Sequence, residues 1–196
     1  RLGLSPESYS QLARRVGSVF HCAAIDNFYL PYDVLKETNA LGSVRLAQFC
    51  MEDTIKPLYY VSSCAAALMD DNLMTTETVG LVNGYAQTKF VAERIVLGLI
   101  EKGFPAINYR LGYLYSLEAD LADKEESFET FLASIFHLRC LPDIDIVFDL
   151  TPVEYAAKCI AKTGLEERQG QRKSHYTFYN PVPLKWIDVT EHLLRL

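Results

Sequence analysis

Residues 84–90 read Gly84-Tyr85-Ala86-Gln87-Thr88-Lys89-Phe90 and open an apolar segment that continues through Val91, Ile95, Val96, Leu99 and Ile100. The apolar spacing predicts a helix, and Lys102-Gly103-Phe104-Pro105 stops it with a cation, a left-handed cap and a proline. On such a helix Tyr85 and Lys89 lie one turn apart on the same face. A free tyrosine titrates near ~10, too high for efficient proton transfer at neutral pH. A lysine ammonium held close favours the phenolate, lowers that value and makes Tyr85 a usable general acid or base. The same spacing also occurs on ordinary helices whose tyrosine and lysine only face solvent.

Working outward, short apolar runs alternate with helical segments. Ser5 and Pro6 start a helix that runs to about Val16, with Leu4 placed to staple onto Tyr9. Ser18 to Cys22 and Leu58 to Ser62 read as strands buried on both faces, and Ala106 to Gly112 as the strand after the Tyr85 helix. Pro31 to Lys36 and Asn39 to Met51 read as helices, the second burying Leu41, Val44, Leu46, Ala47 and Phe49. Residues 69–83 and the charged run Glu118 to Glu126 read as loops. Ser127 to Arg139 is an amphipathic helix with Phe128, Phe131, Leu132, Ile135 and Phe136 inward. Asp143 to Phe148 alternates as a strand, Thr151-Pro152-Val153-Glu154 is a capping box opening a helix to about Gly164, His175 to Tyr179 is a last strand, and Leu184 to Leu194 a last helix.

Strands alternating with helices at this spacing predict a parallel α/β sheet, with ligands at the carboxyl ends of its strands. Ala23-Ala24, Ser62-Ser63 and Arg110-Leu111-Gly112 all fall at such ends, so they converge with Tyr85 on one crevice.

Composition narrows the function classes. The chain has 196 residues, 49% hydrophobic and 22% charged, the balance of a globular protein with a sizeable core. Its 19 basic and 25 acidic residues leave a net charge of −6, which argues against sequence-independent nucleic-acid binding. No apolar run reaches the ~18 residues a membrane helix needs, and no signal-peptide pattern opens the chain. Cys22, Cys50, Cys64, Cys140 and Cys159 are odd in number and form no Cys-x-x-Cys pair, as expected of reduced thiols in a cytoplasmic protein. His21, His137, His175 and His192 show no metal-ligand spacing, so no metal site is expected. Cys64 reads as a small buried hydrophobe rather than a nucleophile. Arg110 has two readings, a carboxylate partner or a phosphate of substrate or cofactor.

The order His21-Cys22-Ala23-Ala24, Asn39 with Gly42-Ser43, Val61-Ser62-Ser63, Tyr85-Ala86-Gln87-Thr88-Lys89 and Arg110-Leu111-Gly112 resembles the extended short-chain dehydrogenase/reductases over roughly residues 18–160. The resemblance implies a partial Rossmann-like, doubly wound parallel sheet with a small C-terminal substrate-side subdomain, divided as 1–117 and 118–196. It implies Ser63, Tyr85 and Lys89 as the catalytic set: Ser63 holds the substrate oxygen, Tyr85 exchanges its proton, and Lys89 binds the nicotinamide ribose. Ala23, Ala24, Asn39, Ser62, Leu111 and Gly112 join Tyr85 and Lys89 as cofactor contacts, with Asn39 supporting the active-site water and helix geometry.

Gly3-Leu4-Ser5, Pro31-Tyr32, Thr151 to Tyr155, and Tyr179-Asn180 before Trp186 resemble the thioester reductases more narrowly. That group includes terminal reductase domains of non-ribosomal peptide synthetases, aminoadipate reductases and carboxylic acid reductases. It implies NADPH as cofactor, a carrier protein with a phosphopantetheine arm as partner, and an acyl or peptidyl thioester reduced to aldehyde or alcohol. Fatty acyl-CoA reductases share several of these motifs. Nucleotide-sugar epimerases or dehydratases, and a non-catalytic carrier-docking module, are the other readings. The family's glycine-rich phosphate-binding turn is not among these residues, so the chain reads as part of a larger reductase, expected to bind NADPH weakly and to be inactive by itself.

Overall fold

The computed structural model describes residues 2–69, 83–116, 127–167 and 173–195. Residues 70–82 of the loop expected at 69–83, the run Glu118–Glu126, the boundary at 117/118 and the side chains of Phe128 and Phe131 lie outside the described residues. Two compact units are present, one comprising residues 1–111 and 160–177 and the other 112–159 and 178–196.

The first unit is an α/β layer. Helix α1 (Pro6–Arg15) begins where Ser5 Oγ accepts the Ser8 N–H at 3.2 Å. Strand β1 (Val19–His21) pairs in parallel with β2 (Leu58–Ser63), which pairs in parallel with β3 (Ala106–Leu111). Strand β7 (His175–Phe178) completes the order β1-β2-β3-β7. The expectation that β1 is buried on both faces is corrected. Phe20 is 49% exposed and stacks on Tyr59 at 4.4 Å, because β1 has a single strand neighbour among the described residues.

Helices α2 (Tyr32–Asn39) and α3 (Leu41–Met51) follow β1 and meet at Ala40. Of the expected inward residues of α3, Ala47 and Phe49 are buried and Val44 and Leu46 half-buried. Leu41 is exposed, while Ser43, Ala47 and Cys50, spaced one helical face apart, are buried. Lys56 closes the end of α3, donating to the carbonyls of Glu52 (2.5 Å) and Thr54 (2.6 Å) with its ammonium over the Phe49 ring.

Helix α4 (Gly84–Glu101) is capped by Asn83, whose Oδ1 accepts the Ala86 N–H at 2.8 Å. It ends through Gly103 at φ +82°, with the Phe104 N–H returning to Leu99 O at 3.0 Å. Ala92 and Val96 of α4 meet Ala47, Cys50, Leu58, Tyr60 and Ala106 in the core of this unit.

The second unit carries the parallel pair β4 (Tyr113–Tyr115) with β6 (Leu150–Pro152) and the antiparallel pair β5 (Val147–Phe148) with β8 (Leu184–Lys185). Ile135 of α5 (Ser127–Leu138), Phe148 and Trp186 form its core, and the Trp186 indole donates to Pro142 O at 2.8 Å. Helix α7 (Trp186–Leu193) starts two residues later than expected, because Leu184 and Lys185 pair as a strand. The strand expected from Asp143 is confined to Val147–Phe148.

The capping box at Thr151 is also corrected. Thr151 belongs to β6, α6 (Val153–Glu167) begins beyond Pro152, and Glu154 Oε1 accepts from the Ser116 hydroxyl at 3.3 Å. Helix α6 runs past Gly164, where Tyr59 Oη donates to the Gly164 carbonyl at 3.0 Å. No helix among the described residues is long and apolar enough to cross a membrane.

Candidate active site

The site is built at the carboxyl end of β1 and β2, where the first turn of α4 arrives. Gly84 is where α4 touches the loop before α2. A Cβ there would lie 2.5 Å from Leu30 O and from Tyr32 N, so only glycine permits this approach. The loop itself is folded by Asn27, whose Oδ1 accepts the N–H groups of Tyr29 and Leu30, both at 3.0 Å. Phe28 then meets the Tyr85 ring edge-on, with centroids 5.2 Å apart.

Tyr85 and Lys89 take the helical spacing read from the sequence, but their electrostatics differ from the expectation. Burial, together with the Asp26 carboxylate, pushes the Tyr85 phenol up to about 12, and the nearby Ser63 hydroxyl opposes this. The expected lowering by Lys89 is corrected, because the lysine is engaged elsewhere. Its Nζ donates to the Val61 carbonyl at 2.6 Å and lies 4.9 Å from the centre of the Tyr60 ring. Lys89 is buried, and desolvation brings its ammonium down to about 8 against the opposing pull of Asp26 and Glu93. Tyr85 is thus a protonated phenol at neutral pH, with a cation on the next turn.

Of the other residues expected at the site, Ala23 is exposed and Ala24 half-buried just beyond β1. Asn39 is buried and fully engaged. Its Oδ1 accepts the Ile25 N–H at 2.7 Å, and its Nδ2 donates to Ile25 O and to Thr88 Oγ1, each at 3.1 Å. Both amide hydrogens are therefore spent on the protein. Ser62 is buried, and its hydroxyl has no hydrogen-bond partner among the described residues. Leu111 is buried at the end of β3. Gly112 is a packing glycine: a Cβ there would meet Asp149 Oδ2 at 2.5 Å.

Arg110 is resolved by its partner. Its Nε lies 2.8 Å and 3.0 Å from the two Glu93 carboxylate oxygens, its Nη2 also contacts Oε1, and Asn108 Nδ2 donates to Oε2 at 2.9 Å. Burial raises the Glu93 carboxyl, but Arg110 and Asn108 more than offset it and hold it below the usual carboxylate range. Of the two readings of Arg110, the carboxylate partner holds.

Sequence reasoning missed Asp26, Thr88 and Glu93. Glu93 had a legible signal, since it continues the Tyr85, Lys89 face by one more turn and precedes an arginine on the next strand. Asp26 had none, because its proximity to Tyr85 depends on how the loop after β1 folds. None of the five cysteines forms a disulfide, and Cys64 is half-buried in a short 3-10 helix, Cys64–Met69.

Comparison with known proteins follows from this geometry. Residues 1–160 match the profile of the Male sterility protein family, an NAD-binding family. The chain is 28% identical over 96% of its length to a component of the linear gramicidin synthase of Brevibacillus parabrevis, covering 4% of that protein. It is 26% identical over 84% of its length to the L-2-aminoadipate reductase of Saccharomyces cerevisiae, covering 13% of it. The terminal R domain from the myxalamid PKS-NRPS biosynthetic pathway superposes over 99% of the chain with a TM-score of 0.85 at 27% identity, and the chain covers 50% of that structure. The chain thus spans half or less of each of these three proteins. It has the mixed α/β fold of the extended short-chain dehydrogenase/reductases, and it belongs to the NAD-binding Male sterility protein family.

Proposed function

We propose that this chain carries the proton-transfer machinery of an NADPH-dependent reductase that acts on an acyl or peptidyl thioester held by the phosphopantetheine arm of a carrier protein. The observation that supports it most is the placing of Tyr85 one helical turn from the buried Lys89 cation, whose Nζ is held on Val61 O of the strand that ends in Ser63, at the carboxyl end of a parallel sheet. The similarity to a gramicidin synthase and an aminoadipate reductase supports the substrate class.

The donor set suits a nicotinamide dinucleotide. Lys89 uses one N–H on Val61 and keeps two for ribose hydroxyls, and Ala23 and Ala24 leave room beside them. When bound, that cofactor supplies the hydride that reduces the thioester carbonyl carbon. Ser63 donates a hydrogen bond to the carbonyl oxygen, and Tyr85 gives that oxygen its proton as negative charge develops there. A phenol held near 12 keeps its proton until an acceptor of rising basicity arrives, which suits an acid in the reductive direction. Loss of the pantetheine thiol then leaves an aldehyde.

The test is NADPH oxidation by the full-length protein with an acyl-phosphopantetheine carrier protein, with UDP-sugars as the alternative substrate. Turnover on the carrier-bound thioester and its loss by at least 100-fold in Tyr85→Phe is the expected result. Wild-type turnover in Tyr85→Phe removes Tyr85 from the mechanism, and turnover on UDP-sugars alone replaces the substrate class.

A further inference from the structure

We propose that His21 and Ser43 are positioning residues of this active site, acting through a one-way line of hydrogen bonds that ends on the backbone of Tyr85. The inference rests on the reductase reading above. His21 is buried at the end of β1, and its Nε2 lies 3.0 Å from Ser43 Oγ. The Ser43 hydroxyl donates to Asn39 O at 3.0 Å, so its oxygen is the acceptor for the imidazole. That assigns the Nε2–H tautomer to His21 and leaves Nδ1 as a buried acceptor with no partner among the described residues. Burial keeps the ring neutral, with Lys89 adding to the effect.

From Asn39 the line continues through its side chain. Nδ2 donates to Thr88 Oγ1 at 3.1 Å, and the Thr88 hydroxyl donates to Tyr85 O at 2.8 Å. The same carboxamide holds both backbone groups of Ile25, three residues before the Phe28 ring that meets Tyr85. Each donated hydrogen in the line has one acceptor, so its direction is set without ambiguity. The consequence is mechanical. The junction of α2 and α3, the loop after β1 and the first turn of α4 are tied to one strand-end histidine, which sets where the Tyr85 hydroxyl stands relative to Ser63.

The test uses the full-length protein and separates kcat from KM for NADPH-dependent thioester reduction. His21→Leu and Ser43→Ala are each expected to lower kcat about 10- to 100-fold, with KM for cofactor and thioester changing by less than about threefold. His21→Gln restores an N–H near Nε2 and should recover most of the loss. The double variant should be no slower than the worse single one, since both cut the same line. Unchanged kcat in Ser43→Ala, or no recovery in His21→Gln, overturns the proposal. Should His21→Leu fail to fold by circular dichroism, Ser43→Ala decides, because it removes a single oxygen. Tyr85→Phe in the same assay separates the two readings. If it is inactive while the His21 and Ser43 variants are normal, only the positioning role falls. If it is fully active, the reductase reading falls first.

Discussion

Lys89 Nζ donates to the Val61 carbonyl oxygen at 2.6 Å, tying the start of α4 to the strand that ends in Ser62 and Ser63. The ammonium is buried, and desolvation lowers its titration from 10.5 to about 8. Its charge is present below that value and lost above it. The kcat/KM for the cofactor should therefore fall as pH rises through about 8, since this parameter reports the free protein. Steady-state kinetics from pH 6 to 10 checks this. A profile that stays level to pH 9.5 would mean the charge of Lys89 is not used.

Glu93 is almost wholly buried and gathers Arg110 and Asn108 beneath the site. Glu93→Ala takes from the Arg110 guanidinium the buried carboxylate it holds, which should cost about 3–5 kcal/mol by urea denaturation. Glu93→Gln keeps the hydrogen-bonding shape and should cost less. Equal losses in the two variants would show that shape, not charge pairing, matters at this position.

His21 is neutral in the folded chain, with its titration lowered from 6.5 to about 4 by burial. Between these values the unfolded chain binds a proton that the folded chain does not. Stability therefore drops as pH falls from 6.5 to 4, by a total of about 3 kcal/mol from this group. His21→Gln cannot titrate there, so its stability should decline correspondingly less over that window. The measurement is denaturant unfolding at pH 6.5 and 4.5, and equal declines in both proteins would refute it.

Two glycines of α4 should respond in opposite ways to alanine. At Gly84 a methyl group meets backbone atoms of Leu30, Pro31 and Tyr32, none of which is the end of a flexible side chain. Gly84→Ala should cost about 1–3 kcal/mol and reduce turnover, because it displaces the residue preceding Tyr85. At Gly98 nothing lies within 4 Å, so Gly98→Ala should gain about 0.5–1 kcal/mol from helix propensity alone. Thermal melts of both variants check the pair.

The features legible in the sequence are those decided over a few residues. Ser5 before Pro6 starts α1, Gly103 ends α4, and four-residue spacing puts Tyr85 and Lys89 on one face. The alternation of buried strands with helices likewise announced the parallel sheet, because each pattern reports its own element's period. Elements whose ends depend on pairing were misjudged. Leu184–Lys185 became strand rather than helix because Val147–Phe148 lies beside it, and Thr151 left its capping role to join β6.

At the site the same division holds. Sequence alone determined that Tyr85 and Lys89 share a helical face and that Ser63 ends a strand. Tertiary structure decided the electrostatics: burial raises Tyr85 and lowers Lys89, and the lysine's hydrogen bond goes to Val61. It also decided the partners of Arg110 and Asn39, on Glu93 and on Ile25 with Thr88. Helical spacing is a local property of the backbone. Desolvation and long-range hydrogen bonds depend on which distant segments arrive around a side chain, and that is settled only when the core packs.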